Sequence, residues 1–587
     1  MLFRSRSTGL RWNQEGLVFL LCTLLAAALV VILAVTPAAA QDAADAVPAE
    51  PRFLPDDPIA LDPDRLDMPA PEEQEPSDVG DYISNTFFSP ADYDGPARNA
   101  NTVQEVPASS WYTPRHYQNR LSIEALQRGP DTRGADGPAP GPWTVVSTKE
   151  EGKSVGMQIE DARGDRYLLK FDPPGNMELT TGAEVVSTKL FYALGYHVPE
   201  NFAVAFQPER LEVGEEVSLS RDGLRDLLGK AAHYADGSIR AIASKFVDGS
   251  PIGPFQYYGT RPDDGNDVFP HESRRELRGM HVFAAWLNHV DSRGSNSLDT
   301  VVEDVSPVTG DSAQYVRHHL IDFGTTLGGG PLGPKDRWQG FEYSIEPGRM
   351  IERTVTLGFS GAPWLNIEYP GYPSIGHIEA EHFEPEEWKP LYPNPAFQRM
   401  DAADAFWAAR QVMHFTDEEL RAVVETGDYS DPEAEAYLAK TLMKRRDKIG
   451  RAYLGYGGGV DRFRVEGGRL TFDDLPAVHG LAPEDRARRV TWRVFDNETA
   501  EAGRVLDEET TARESLAVPE ARAARFLLAE IETPEGSGAI TRVYLRRTGG
   551  AYEVVGLSRE GEAAVGEDLP VRAAAPSSGE RRDGGGR

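Results

Sequence analysis

Cysteine is all but missing from this chain: of 587 residues only Cys22 carries a thiol. A single thiol makes no intramolecular disulfide, and its place inside an apolar run leaves the folded part without a thiolate metal site. Positive charge is also short, with 61 Lys and Arg against 93 Asp and Glu and a formal net charge of -32. So acidic a surface, relieved by no long Lys/Arg run, opposes a phosphate backbone, and nucleic acid is set aside as a partner. Long apolar stretches are confined to one place, Gly16 to Val35. A composition of 40% hydrophobic and 26% charged residues is otherwise that of a water-soluble globular chain, long enough for two or more cored domains.

The apolar run follows Arg4, Arg6 and Arg11 and ends in Thr36-Pro37-Ala38-Ala39-Ala40-Gln41. A basic start, an apolar middle and a small-residue exit predict a secretory signal peptide cut after Ala40. The run is also about the length that a bilayer-spanning helix needs, so an uncut anchor tethering the protein through residues 16–35 is the alternative. Either reading exports the rest to the periplasm or cell envelope, secreted or N-terminally anchored. Residues 41–81 are mostly Ala, Pro, Asp and Glu and predict a disordered, solvated linker. Residues 82–142, where Tyr82, Phe87, Phe88, Trp111 and Tyr112 bring aromatics back, predict an extended lead-in packed on the domain behind it.

From Trp143 to Phe171 the pattern alternates as three strands do, with Lys153, Ser154 and Gly156 at the first connection. A Gly/Ser turn there is an ordinary hairpin or a loop whose N–H groups cover phosphates. Lys170 closes the third strand, facing solvent or a phosphate cleft. Thr181-Gly-Ala-Glu184 then opens a helix, and Glu184 is either the third residue of a capping box or the carboxylate partner of Lys170. Further on, a helix over Ser273 to Leu287 leads into Asp291-Ser-Arg-Gly-Ser-Asn296. An antiparallel pair then leads to Ile321-Asp322-Phe323-Gly324. An Asp followed five positions later by an Asn, then an Asp-Phe-Gly closing an apolar run, supplies what phosphoryl transfer from ATP requires. One carboxylate orients the acceptor hydroxyl, while an amide and a second carboxylate hold the metal that bridges the phosphates.

On these residues the chain resembles the atypical protein-kinase-like superfamily, the branch with the phosphatidylinositol 3- and 4-kinases, bacterial toxin-type kinases and secretory-pathway kinases. Ile321-Asp322-Phe323-Gly324 followed by Leu327-Gly328 looks closest to the lipid-kinase form, although no His follows Asp291. The resemblance implies an α+β, two-lobed protein-kinase-like fold with a β-rich small lobe (143–249) and a helical large lobe (250–456). It implies Asp291 orienting or deprotonating the acceptor, Lys170 gripping phosphates with Glu184 behind it, and Asn296 and Asp322 holding Mg²⁺ or Mn²⁺. It places Lys153, Ser154, Gly156, Phe246 and Val247 around ATP, the last two at a hinge beside the adenine. Lys335 and Arg337 fall where the acceptor enters, as solvated loop charges or as contacts to an anionic acceptor.

Gly457-Gly-Gly459 reads as a boundary, beyond which residues 460–570 predict a small antiparallel β domain folding apart from the rest, with a disordered tail over 571–587. The function implied is ATP- and metal-dependent phosphoryl transfer by an exported kinase to a protein, lipid or carbohydrate acceptor. The rival is a catalytically silent kinase-like protein acting as an envelope binding or scaffold module.

Overall fold

From Phe53 onward the chain is held by specific packing rather than left as the linker its composition predicts. The Phe53 ring is buried against Phe495, Phe526 and Tyr544, the last at 5.1 Å between centroids. Asp64 accepts hydrogen bonds from the Ser110 N–H and hydroxyl, and the Gln74 N–H donates to the Ile252 carbonyl. One aromatic anchor and a few buried carboxylates suffice to order a segment whose average composition is that of a tether. The structure, a computed structural model, describes residues 52–75, 77–131, 134, 137–148, 156–356, 361–521, 523–533 and 538–562. The expected signal or anchor segment with Cys22, the Lys153–Ser154 turn and the tail over 571–587 lie outside these residues. Two short helices follow, α1 (Asp78–Phe87), capped by the Ser77 hydroxyl, and α2 (Ile123–Arg128), capped by Ser122.

The alternation after Trp143 forms β1 (Trp143–Thr148), β2 (Gly156–Glu160) and β3 (Arg166–Phe171). Trp143, Val145, Met157, Ile159, Tyr167 and Leu169 point to one face and make its apolar core. Helix α3 (Leu179–Ala193) leads to β4 (Asn201–Phe206), β5 (Leu211–Val213), α4 (Arg221–Leu228) and β6 (Ile239–Lys245). The six strands form one sheet in the order β4-β6-β3-β2-β1-β5, with Gly156 opposite Lys170 and Lys170 opposite Ile242. Leu224 and Leu228 of α4 cover the outer face. The other face, where Lys170 and Ile242 project, is left for the site.

The second region is built on α5 (Arg275–Leu287), every residue of which is buried. Gly279 lets the Trp407 ring lie so close that a Cβ there would stand 2.9 Å from it. Helix α5 ends on Asn288 in the left-handed conformation (φ 52°), a backbone state that Asn tolerates better than most residues. Before it β7 (Ser250–Pro251), and after it β8 (Ser297–Val305) and β9 (Ser312–Leu320), make a small antiparallel sheet. Helices α6 (Ala402–His414), α7 (Asp417–Glu425) and α8 (Pro432–Tyr453) start behind the cap residues Asp401, Thr416 and Asp431; α6 and α8 pack on α5, and α7 packs on α8.

The last region is antiparallel β structure, as expected for 460–570. A three-stranded sheet turns at Gly467–Gly468 and a five-stranded sheet turns at Gly549–Gly550. It does not stand apart: from Phe53 on the chain forms one compact unit. Leu475 and Leu481 join the apolar core of the helices. The Asp461 carboxylate, buried, takes Arg410 of α6 at 2.5 Å, Arg559 at 2.7 Å and the Tyr117 hydroxyl at 2.8 Å. The protein is thus a mixed α+β fold. Among the described residues no helix is long and apolar enough to cross a membrane.

Candidate active site

Asp172 fixes the first half of the site. It follows β3 directly, and its buried carboxylate accepts from the N–H groups of Glu178, Thr180 and Thr181 at 2.8–3.0 Å. The Thr180 and Thr181 hydroxyls donate to it as well. A helix N-terminus leaves such N–H groups unsatisfied, and a carboxylate is the best partner for them. Helix α3 therefore begins at Leu179, two residues before the expected start, and Thr181 lies inside it. The capping-box reading of Thr181 and Glu184 is overturned, since tertiary contact with Asp172 replaces the local cap. Glu184 is freed to face Lys170, whose ammonium lies 3.7 Å from it.

Glu184 is buried and firmly placed. One of its oxygens accepts from the Phe323 N–H and the Asn201 amide, both at 3.1 Å. A Cβ at residue 324 would stand 3.1 Å from its other oxygen, which accounts for Gly324. Burial holds the Glu184 carboxyl above the usual carboxylate range, with the Lys170 charge opposing that rise. Lys170 also meets Asp322 at 2.9 Å. Burial disfavours its charge, but Asp322 and then Glu184 outweigh that and push it up to about 12.

The β8–β9 hairpin builds the other half. Ser297 pairs with Leu320, and the Ile321 N–H donates to the Asn296 carbonyl at 3.0 Å. Residues far apart in sequence, Asn296 and Asp322, thus flank the open end of one hairpin. Asp322 adopts a left-handed backbone (φ 63°), which turns the chain sharply before Phe323. Phe323 is buried, stacked on Phe191 at 4.9 Å and close to the His289 ring at 5.8 Å. Asn296 donates from its amide to the Asp291 carbonyl at 2.8 Å, closing the loop between them. The Asp291 carboxylate is paired with Arg293 at 2.8 Å, and burial raises its pKa against the guanidinium's pull.

Lys170, Glu184, Asp291, Asn296 and Asp322 all line one cavity of about 430 Å³, and so does Lys335. Lys335 is not the solvated loop charge the sequence suggests. It is 4% exposed, and its ammonium donates to the Asn288 carbonyl at the end of α5. Burial lowers its pKa to about 7, with Asp291 pulling it back up. Arg293 and Lys335 are the two charged cavity residues outside that set of five, and a charge in a loop carries no burial signal in sequence. Arg337 instead donates to the Ile367 carbonyl at 2.9 Å.

The remaining candidates stand elsewhere. Gly156 opens β2 opposite Lys170 without lining the cavity, and Lys153 and Ser154 lie outside the described residues. Phe246 and Val247 line a different cavity with Arg115, His197 and Arg317, so they are not brought to Lys170. The physical reason is that the Phe246 N–H bonds back to the Arg166 carbonyl and the chain turns away at the sheet's end. Among the described residues no group of three or more His, Cys, Asp and Glu side chains is arranged to hold a metal alone. The donor set of Asn296 and Asp322 is nonetheless hard oxygen, which suits Mg²⁺ or Mn²⁺ when phosphate and water oxygens complete the shell. No protein-family model matches the chain, and no curated protein matches its sequence.

Proposed function

We propose that the protein is an exported kinase-like phosphotransferase with a two-lobed arrangement, using ATP with Mg²⁺ or Mn²⁺ and an acceptor of the protein, lipid or carbohydrate class. The observation that carries this reading is that the five residues singled out by their order in sequence all line the same cavity. Asp and Asn are common in turns, and any one of them would mean little alone. Their meeting between a sheet and a helical region is what phosphoryl transfer calls for, since that chemistry is mostly positioning and charge stabilisation. The His289-Val290-Asp291 run, with His289 packed near Phe323, adds support from a contact the sequence did not single out.

In this reading Lys170, steadied by Glu184, holds phosphate oxygens. Asn296 and Asp322 would hold the divalent ion, which would supply charge neutralisation on the phosphates. Asp291 accepts the acceptor's hydroxyl proton, and burial, by raising its pKa, makes it a better base than a solvated Asp. A silent binding module is the second reading, favoured by one feature: Arg293 already occupies the Asp291 carboxylate at 2.8 Å.

Asp322→Asn is expected to abolish metal-dependent nucleotide binding in a thermal-shift titration. Asp291→Asn is expected to keep that binding while transfer falls by about 10²–10⁴-fold, the range for a lost general base. Nucleotide binding in the parent without transfer to any acceptor points to the silent module. No binding with either metal, with Asp322→Asn indistinguishable from the parent, removes the nucleotide site. Export rests on the N-terminal pattern, and N-terminal sequencing of fractionated cells reads Gln41 if the segment is cut or Met1 if it anchors.

A further inference from the structure

We propose that the cavity lined by Arg115, His197, Lys245, Phe246, Arg317 and His319 is an effector site for a small organic anion with an apolar body. Its volume is about 280 Å³, enough for a small molecule. Three strand ends and the lead-in build it: His197 to Glu200 enter β4, Lys245 to Asp248 leave β6, and Arg317 and His319 come from β9.

Of the three cations in the lining, Lys245 is held by Asp165 at 3.5 Å and Arg317 by Asp304 at 3.1 Å, so the call for an anion comes from Arg115. Arg115 donates to the Tyr192 and Tyr196 carbonyls at 2.9 Å and lies 4.1 Å over the Tyr192 ring. Among the described residues no carboxylate is paired with it. Its charge is therefore met only by dipoles and a π face, and an anion would complete it. His319 is 6% exposed, with Nε2 at 3.2 Å from the Thr300 hydroxyl and a buried Nδ1 that has no partner. The His197 Nε2 is likewise buried without a partner. Burial and the adjacent cations hold both rings neutral, leaving each able to turn an N–H towards an anion. The guanidiniums of Arg115 and Arg317 argue against a metal ion at the same place. Glu200 and Asp248 also line the cavity, but each is already engaged within the fold. Phe246, 44% exposed, and Val247 supply the apolar wall that bare phosphate would leave unused.

The cavity is wired to the other site by short covalent and hydrogen-bonded steps. The Leu320 N–H donates to the His197 carbonyl at 2.9 Å, and Asp322 follows directly on that strand. Glu200 precedes Asn201, whose amide holds Glu184 at 3.1 Å. A ligand gripping His197 and Arg317 together thus touches the supports of both Glu184 and Asp322. The effector role rests on the proposed nucleotide site; the binding itself does not.

The test is calorimetric titration of the full chain with phenyl phosphate and with inorganic phosphate. Phenyl phosphate is expected to bind, Arg317→Gln to weaken it by about tenfold or more, and Lys170→Met to leave it unchanged. Phe246→Ser, at a half-exposed position, is expected to erase the preference for phenyl phosphate over inorganic phosphate. Absence of binding at millimolar ligand, or loss in Lys170→Met with retention in Arg317→Gln, overturns the proposal. Bound phenyl phosphate is further expected to shift nucleotide affinity in the parent and not in Arg317→Gln. Anion binding with an unmoved nucleotide affinity overturns the effector role. Anion binding with no nucleotide binding at all refutes the kinase reading and leaves the anion site standing.

Discussion

Lys335 departs furthest from what its surroundings in sequence suggest. Gly328-Gly-Gly-Pro-Leu-Gly-Pro334 precedes it, a run that reads as an exposed loop. The loop is instead pressed against Gly376, where a Cβ would stand 1.7 Å from the Gly328 carbonyl oxygen. That backbone-to-backbone approach, open only to glycine, carries Lys335 into the cavity. Its folded pKa of about 7 lies well below the ordinary lysine value of 10.5. Between those two values the unfolded chain binds the extra proton, so stability must rise with pH across that window, by up to ~1.4 kcal/mol per unit. Melting temperatures of the parent and Lys335→Met, compared from pH 6.5 to about 9.5, are expected to show the parent gaining on the variant as pH rises. Bound phosphate would favour the ammonium and flatten that slope, and parallel curves without ligand would show that Lys335 keeps an ordinary pKa.

At the scale of an element, α3 decides whether the site exists. Its N-terminus is capped by Asp172 from the strand that carries Lys170, so one carboxylate sets the distance between Lys170 and Glu184. Tyr429 packs over the same turn, and a Cβ at Gly182 would stand 2.6 Å from its ring. Asp172→Ala strands several buried N–H groups and is expected to cost on the order of 2–3 kcal/mol in denaturant unfolding. It is also expected to weaken nucleotide binding, because Glu184 loses its support. Unchanged stability would mean that water or another group caps the helix. The elements themselves were largely legible: strand alternation from Trp143 and the antiparallel pair before Asp322 both mark local structure. What the sequence left open was Thr181-x-x-Glu184, a pattern that fits a capping box equally well when a distant carboxylate caps instead. The order of Lys170, Asp291, Asn296 and Asp322 was likewise readable, whereas Lys335 and Arg293 depend on loop packing that leaves no periodic trace.

At the scale of the whole molecule, the question is whether the C-terminal β region is an appendage. Gly457-Gly-Gly459 resembles a linker in sequence, but each of these glycines has a positive φ and a tight neighbour. A Cβ at Gly458 would stand 2.5 Å from the Thr533 hydroxyl, and one at Gly459 would stand 2.6 Å from the Leu454 carbonyl oxygen. The triplet is a sharp turn pressed between a helix end and a sheet. Just beyond it Asp461 joins Arg410, Arg559 and Tyr117, and Arg410 also meets Glu105 of the lead-in at 2.7 Å. Burial works against the Asp461 charge, but Arg410 and Arg559 hold its carboxyl well below the usual range. Such a depressed carboxyl contributes stability at neutral pH and loses it progressively as pH falls from the ordinary Asp range towards its depressed value. Removing one partner from a buried charge network typically costs about 3–5 kcal/mol, because the others stay buried and uncompensated. A chain ending at Tyr456 loses Asp461 and Arg559 together, exposes Phe53 and uncovers the core around Leu481. It is expected to aggregate or to melt without a cooperative transition, while the full chain from Phe53 on unfolds in one step by calorimetry. Asp461→Asn in the full chain, milder than truncation, is expected to lower stability by a few kcal/mol, with its cost vanishing only at strongly acid pH. A truncated protein that stays soluble, melts cooperatively and binds nucleotide as the parent does would show the β region to be separable after all.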